Sequence, residues 1–263
     1  MTDLLVHERP GDGCLIEVTP ESAGWKYVGF EVFRLAPAAK LRRRFPGRET
    51  CVVVLAGSCD IRSEAGEWKS VGKRTSPFDG APAAAYLPPG MEFEITAPSA
   101  TVEIALGHAP AKVGAKARVL RPEDARVEVR GSGAMERRIH HILMEDAEAE
   151  SLLVTEVVTP GGHWSSYPPH KHDTNDPPRE TALEETYYHR LRDERGFAVQ
   201  RVYTADRSLD ESVTVRNGDV VLVPRGYHTV SAPPGYDLYY LNVMSGPVRA
   251  WKVTFDPDHR RLT

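Results

Sequence analysis

Gly218-Asp-Val-Val-Leu-Val-Pro224-Arg-Gly226-Tyr-His228 reads as a short apolar strand that stops at a proline, turns at a glycine and delivers a histidine to whatever follows. Runs of the same kind, rich in β-branched and aromatic residues and bounded by Gly, Pro, Asp or Asn, recur along the chain. In the first half they are Leu15–Thr19, Tyr27–Leu35, Cys51–Leu55, Glu92–Thr96 and Val102–Leu106. In the second they are Ile139–Leu143, Leu152–Val158, Glu184–His189, Phe197–Tyr203, Val220–Val223 and Leu238–Val243. Only Glu145–Leu152 looks helical, and its pattern is short. Glycine and proline number 21 each in 263 residues, enough to punctuate many short strands. The expected fold is all-β: a sandwich, jelly roll or barrel.

The length allows one large domain or two of about half the size. Gly107–Arg118, rich in small and turn-forming residues, interrupts the strands, so a joint is expected near 108–120, dividing the chain into 1–115 and 116–263. A long-period echo supports two related units. Glu49, Gly57 and Pro88-Pro-Gly90 in the first half are answered by Glu185, Gly196 and Pro224-Arg-Gly226 in the second.

Composition excludes several classes. A formal charge of −4 with no basic stripe argues against nucleic acid as partner. Apolar runs such as Cys51–Gly57 are far too short to span a bilayer, so no membrane association is expected. Asp3 stands where a secretory signal would be basic, and the 3 cysteines form no CxxC, which together suggest a reducing, cytoplasmic setting. One residue type is unevenly spread: 8 of the 10 histidines lie at or beyond His140, and none lies between His7 and His108.

The chemistry concentrates in Pro168-Pro-His-Lys-His-Asp173. On an extended chain His170 and His172 share one face, with Lys171 on the other. In Glu184-Glu-Thr-Tyr-Tyr-His189, the residues Glu185, Tyr187 and His189 share a face. Two histidines from one strand, a glutamate from the next and His228 from a later turn can converge on a divalent metal, which neutral imidazoles and a carboxylate suit. His140 and His141 are adjacent, face opposite ways, and look like ligands in neither case. His163-Trp164 reads as rim or turn packing.

These residues resemble the two signature motifs of the cupin superfamily, small jelly-roll β-barrels that hold a metal with three histidines and one glutamate. The spacing departs from that pattern. Seven residues rather than five separate Gly162 from His170, and twelve separate His172 from Glu185; Ala232 stands where the second motif closes with Asn. GGHWSSYPPHKHD, LEETYYHRL, FAVQRVYT and GDVVLVPRGYHTVSAPPGYDLYYLNVMSGP together resemble the 5-deoxy-glucuronate isomerases of bacterial myo-inositol catabolism, over the whole second half and more faintly over the first. The related 5-keto-4-deoxyuronate isomerases place the ligand glutamate in an E-x-Y pattern, which Glu185-Thr-Tyr187 fits and Glu184 does not.

The resemblance implies two tandem cupin barrels. The first is without a metal site, with Glu49 and Gly57 approximating the tail of the first motif. The second holds a divalent metal on His170, His172, Glu185 and His228, zinc being the first expectation and manganese or iron the alternatives. It implies an aldose–ketose isomerisation of a uronic acid, 5-deoxy-D-glucuronate to 2-deoxy-5-keto-D-gluconate. Competing readings are a related uronate ketol-isomerase, an iron-dependent dioxygenase and a non-catalytic sugar-binding cupin. Tyr187 and His189 are the catalytic candidates, with core packing as the competing reading of each. Arg201 is the first choice for the substrate carboxylate, against an internal salt bridge; Arg179 and Tyr240 are further substrate-binding candidates, at most one of Tyr239 and Tyr240 facing the cavity. Assembly into a homo-oligomer is left open.

Overall fold

The structure is a computed structural model and describes residues 4–262. Four antiparallel sheets carry the chain. A six-stranded sheet runs Arg118–Leu120, Ala83–Leu87, Arg48–Ala56, Val102–Pro110, Gly29–Leu35, Gly13–Val18, and a four-stranded sheet runs Lys40–Arg43, Phe93–Thr96, Cys59–Ser63, Gly66–Val71. These two enclose an apolar core that includes Phe33, Val52, Val54, Ile61, Phe93 and Ile95. A seven-stranded sheet runs Leu5–Val6, Val220–Val223, Glu184–Leu191, Leu238–Ser245, Leu153–Thr159, Arg137–Leu143, Arg126–Arg130. It faces a five-stranded sheet ordered Asp210–Val215, Ala198–Tyr203, Tyr227–Ser231, Trp164–Lys171, Thr254–Phe255. The result is two jelly-roll barrels in tandem, with the two large sheets back to back.

That contact is the largest apolar cluster of the molecule. Phe30, Val32, Val53, Leu55 and Tyr86 of the first barrel meet Val154, Tyr188, Leu222, Tyr239 and Leu241 of the second. The strands in it read as near-continuous hydrophobic runs because both of their faces are buried. All eleven expected strands are present; those not anticipated, such as Ala83–Leu87, Arg126–Arg130 and Asp210–Val215, are alanine-rich, short or charged.

One expectation is corrected. Glu145–Leu152 forms turns and bends instead of a helix. Its last backbone N–H groups, of Glu150, Ser151 and Leu152, donate to the Glu49 carboxylate at 2.9, 2.6 and 2.7 Å, which draws them away from any helical ladder. Among the described residues α-helix is confined to Pro20–Ala23, capped by Thr19. No helix among them is long and apolar enough to cross a membrane. Two short strands cross between the barrels: Arg118–Leu120 pairs with Ala83–Leu87 of the first, and Leu5–Val6 pairs with Val220–Val223 of the second.

The barrels are also clasped reciprocally. Glu184 of the second accepts the N–H groups of Lys26, Tyr27 and Val28 of the first at 2.8, 2.8 and 2.9 Å, mirroring Glu49. The registers agree, since Thr50 pairs with Leu87 as Glu185 pairs with Val223. Glu49 is therefore the counterpart of Glu184, and Thr50 stands where the second barrel has Glu185. This corrects the reading of Glu49 as the remnant of a metal motif.

A buried ion pair crosses the same interface. Arg74 grips Glu156 with two hydrogen bonds of 2.9 and 3.0 Å, and His140 and Tyr239 complete the carboxylate's partners. Burial alone would raise the Glu156 pKa; Arg74 and His140 outweigh it and hold the carboxyl below its ordinary value. Replacing Arg74 by Met leaves that charge uncompensated, and urea unfolding should show a loss of about 3–5 kcal/mol. A loss below about 1 kcal/mol would mean that Glu156 finds its compensation elsewhere.

Candidate metal centre

The strand Trp164–Lys171 supplies the first histidine through a wide irregularity. Ser165 pairs with Val230 and His170 with His228, so four residues on one strand bulge out against the single residue Thr229 on the other. That bulge takes up the long spacing between Gly162 and His170. It also sets His170 directly opposite His228, the residue that the turn at Pro224-Arg-Gly226 delivers. Gly226 has φ 88° and donates its N–H to Asp173 at 2.8 Å, tying the turn to the end of the His170–His172 segment.

The three imidazoles converge, their ligating nitrogens within 4.8 Å of one another, and all three residues are buried. Glu185 lies among them: its Oε2 is 3.0 Å from His172 Nε2 and 3.2 Å from His228 Nε2. The rings are aimed from behind, His172 Nδ1 against the Leu183 carbonyl at 3.0 Å and His228 Nδ1 against the Gly226 carbonyl at 3.2 Å. His228 Nε2 is buried and, despite that short approach to Glu185, has no properly directed hydrogen bond. Burial pushes the Glu185 pKa up, but His172 and His228 outweigh it and bring it down to about 2. Burial, then His228 and His172, drive His170 well below the usual histidine value. An ionised carboxylate, neutral imidazole and an orphaned nitrogen aimed at one point are what a divalent cation requires. The residues fit one.

The twelve-residue separation that puzzled the motif is a pinned loop. Glu180, buried within it, accepts from Asp173 N, Thr174 N and Lys171 Nζ at 2.9, 2.8 and 2.9 Å. Leu183 N donates to the His172 carbonyl at 2.8 Å, returning the chain to the centre just before Glu184 and Glu185.

The centre opens into a cavity lined by His170, Glu185, Tyr187, Tyr240 and, from the far strands, Arg137 and His141. Tyr187 and Tyr240 stand with ring centroids 4.9 Å apart, their hydroxyls bonded to Ser166 at 2.9 Å and Ser165 at 2.5 Å. Tyr239 faces the barrel interface instead, as strand alternation requires. Burial, then Glu185, raises Tyr187 well above the usual phenol value, so it is a neutral donor.

Three candidates lie elsewhere. His189 is fully buried behind Tyr187, ring against ring at 5.9 Å, with Nε2 on Gln200 at 2.8 Å. Arg201 points outward from the five-stranded sheet and pairs bidentately with Asp210 at 2.8 and 2.7 Å, the competing salt-bridge reading. Arg179 is an exposed loop charge paired with Asp176. Conversely, the cavity contains Arg137, Arg130, Asn242 and Trp251, which sequence reasoning missed, and His141, which it set aside. His141 Nε2 meets Glu128 Oε2 at 3.0 Å, while its Nδ1 is buried without a partner.

In purified protein, His170→Ala, His228→Ala and Glu185→Ala should each strip bound metal to a small fraction of the wild-type content by elemental analysis. Glu184→Ala should keep the metal while losing stability at the barrel interface. Metal retained in Glu185→Ala and lost in Glu184→Ala would reverse the assignment.

The sequence model of the KduI/IolB family matches residues 4–262. A protein of Geobacillus kaustophilus named 5-deoxy-glucuronate isomerase is 52% identical over 254 residues, covering 96% of this chain and 92% of its own. The Bacillus subtilis (strain 168) protein of the same name is 44% identical, with 92% and 90% covered. The crystal structure of an IolB-like protein from Salmonella typhimurium LT2 superposes with a TM-score of 0.97 at 42% identity, covering 99% of each chain. Lactobacillus farciminis oxalate decarboxylase, at 14% identity and a TM-score of 0.68 over 100% of this chain and 95% of that one, shares the two-barrel cupin fold.

Proposed function

The chain belongs to the KduI/IolB family, and from that premise we propose how its cavity carries out the family's reaction. It is an isomerase that converts 5-deoxy-D-glucuronate to 2-deoxy-5-keto-D-gluconate. The observation that carries the assignment is the 52% identity to a 5-deoxy-glucuronate isomerase over nearly the whole of both chains. The convergence of His170, His172, Glu185 and His228 beside a cavity supports it.

The reaction moves a hydrogen from the hydroxyl-bearing carbon to the neighbouring aldehyde carbon and builds negative charge on two adjacent oxygens. A divalent ion on His170, His172, Glu185 and His228, zinc by preference over manganese or iron, would supply Lewis acidity toward those oxygens. The protein contributes the rest. Tyr187 and Tyr240, kept neutral by burial and oriented by Ser166 and Ser165, present hydroxyls where oxygen charge develops. His141 is the proton carrier in this reading. Burial lowers its pKa, more than Glu128 restores, so the ring is neutral at pH 7 and has a free nitrogen, while Glu128 fixes its orientation. His189 acts from behind, packing Tyr187 in place.

The same reading places the enzyme in myo-inositol breakdown in the cytoplasm, a setting that its free Cys14, Cys51 and Cys59 suit.

Metal-loaded protein given 5-deoxy-glucuronate without oxygen should form the ketose; no product with metal retained would overturn the assignment. His141→Asn should lower kcat by about 10²–10⁴-fold at unchanged metal content, and a loss below about tenfold would remove His141 from the mechanism.

A further inference from the structure

Among the described residues two arginines are buried, Arg74 at 5% exposure and Arg137 at 8%. Taking a guanidinium out of water costs several kcal/mol unless a counter-charge compensates. Arg74 has Glu156. Arg137 pairs with no carboxylate among the described residues, and its one hydrogen bond runs from Nη1 to the Met135 carbonyl at 2.9 Å. A planar fork of five N–H donors is thus held by a single anchor.

The surroundings show how it is held. Arg137 opens the strand Arg137–Leu143, and alternation turns Arg137, Ile139 and His141 into the cavity while His140 reaches Glu156 on the other face. Gly131, at φ 82°, lies so close that an added Cβ would stand 2.3 Å from the Met135 carbonyl oxygen and 2.9 Å from Arg137 Nη1. The turn therefore supports one edge of the guanidinium and leaves the cavity side free. The neighbouring cation, Arg130, is already engaged: Glu128 binds it at 2.7 and 2.9 Å, and it lies 5.3 Å over the Trp251 ring. Arg137 is the uncompensated charge of the cavity.

We propose that Arg137 receives the substrate's carboxylate, orienting the sugar chain with its aldehyde end toward His170 and Glu185, which line the same cavity. The proposal rests on the isomerase reading and adds to it a basis for selecting uronic acids over neutral sugars. A bidentate guanidinium–carboxylate pair formed out of water supplies both the affinity and a fixed direction. In the free enzyme the charge is uncompensated, so the anion that neutralises it gains what a neutral sugar cannot.

The test compares metal-loaded wild type, Arg137→Gln and Arg137→Lys on 5-deoxy-glucuronate and on the neutral hexose in which its carboxylate is reduced to an alcohol. Turnover and calorimetric binding are both read. Arg137→Gln should weaken uronate binding on the order of 100-fold, leave the neutral sugar within a few-fold and keep the metal. Arg137→Lys should recover part of the loss, and it carries the comparison if the Gln variant does not fold. Equal losses on both sugars with metal intact, or no loss on the uronate, would overturn the proposal. If wild type selects the uronate through Arg137 yet forms no ketose, the isomerase reading falls and the carboxylate receptor stands. If ketose forms with the same KM in wild type and variants, the receptor falls and the isomerase reading stands.

Discussion

The two-residue period of a single strand, Glu184–Leu191, organises this molecule. It lies inside the seven-stranded sheet, so both of its faces are buried and neither can serve solvent. One face looks to the first barrel: Glu184 holds the Lys26–Val28 backbone, Tyr188 joins the shared core and Arg190 pairs with Glu103 at 2.6 Å. The other looks inward, where Glu185, Tyr187 and His189 build the candidate metal centre and its backing. A shift of one residue in register would exchange these sets, placing Glu185 at an apolar interface and an interface clasp in the cavity. The two neighbouring glutamates have unrelated duties for this reason.

The first barrel shows the same scaffold without the chemistry. Thr50, Val52 and Val54 stand where the second has Glu185, Tyr187 and His189, and the interior fills with Phe33, Ile61 and Ile95. A buried ionisable cluster needs each charge compensated, and an apolar core does not. The first barrel's large sheet packs against that of the second barrel and backs it.

Much of this was legible in the sequence. Apolar runs separated by glycine and proline mark the strands, and His170, His172 and His228 stand in strand and turn contexts that can converge. The illegible parts have identifiable causes. Arg137 and Arg138 are adjacent, and which one faces inward depends on the phase of a strand whose apolar signal begins only at Ile139. Arg201, central in an apolar strand, promised an inward charge; its partner Asp210 lies in a strand too polar to be recognised. The order of the loop after His172 leaves little trace in the sequence, because its organiser, Glu180, acts largely through the backbone N–H groups of Asp173 and Thr174. His141 was set aside for its neighbour, although adjacency only guarantees that one of the two faces inward.

The exchange of short strands between the barrels has a consequence for how the chain could be divided. Leu5–Val6 completes the edge of the second barrel's sheet, and Arg118–Leu120 completes the edge of the first. Each half therefore carries away a border strand of the other. Cut at the linker, the second half would present the unpaired backbone of Val220–Val223, an open sheet margin that invites association with other chains. The duplicated architecture is thus no longer a pair of transplantable modules: the half that carries the histidine cluster depends for its finished outline on Leu5–Val6, a strand that precedes the whole first barrel.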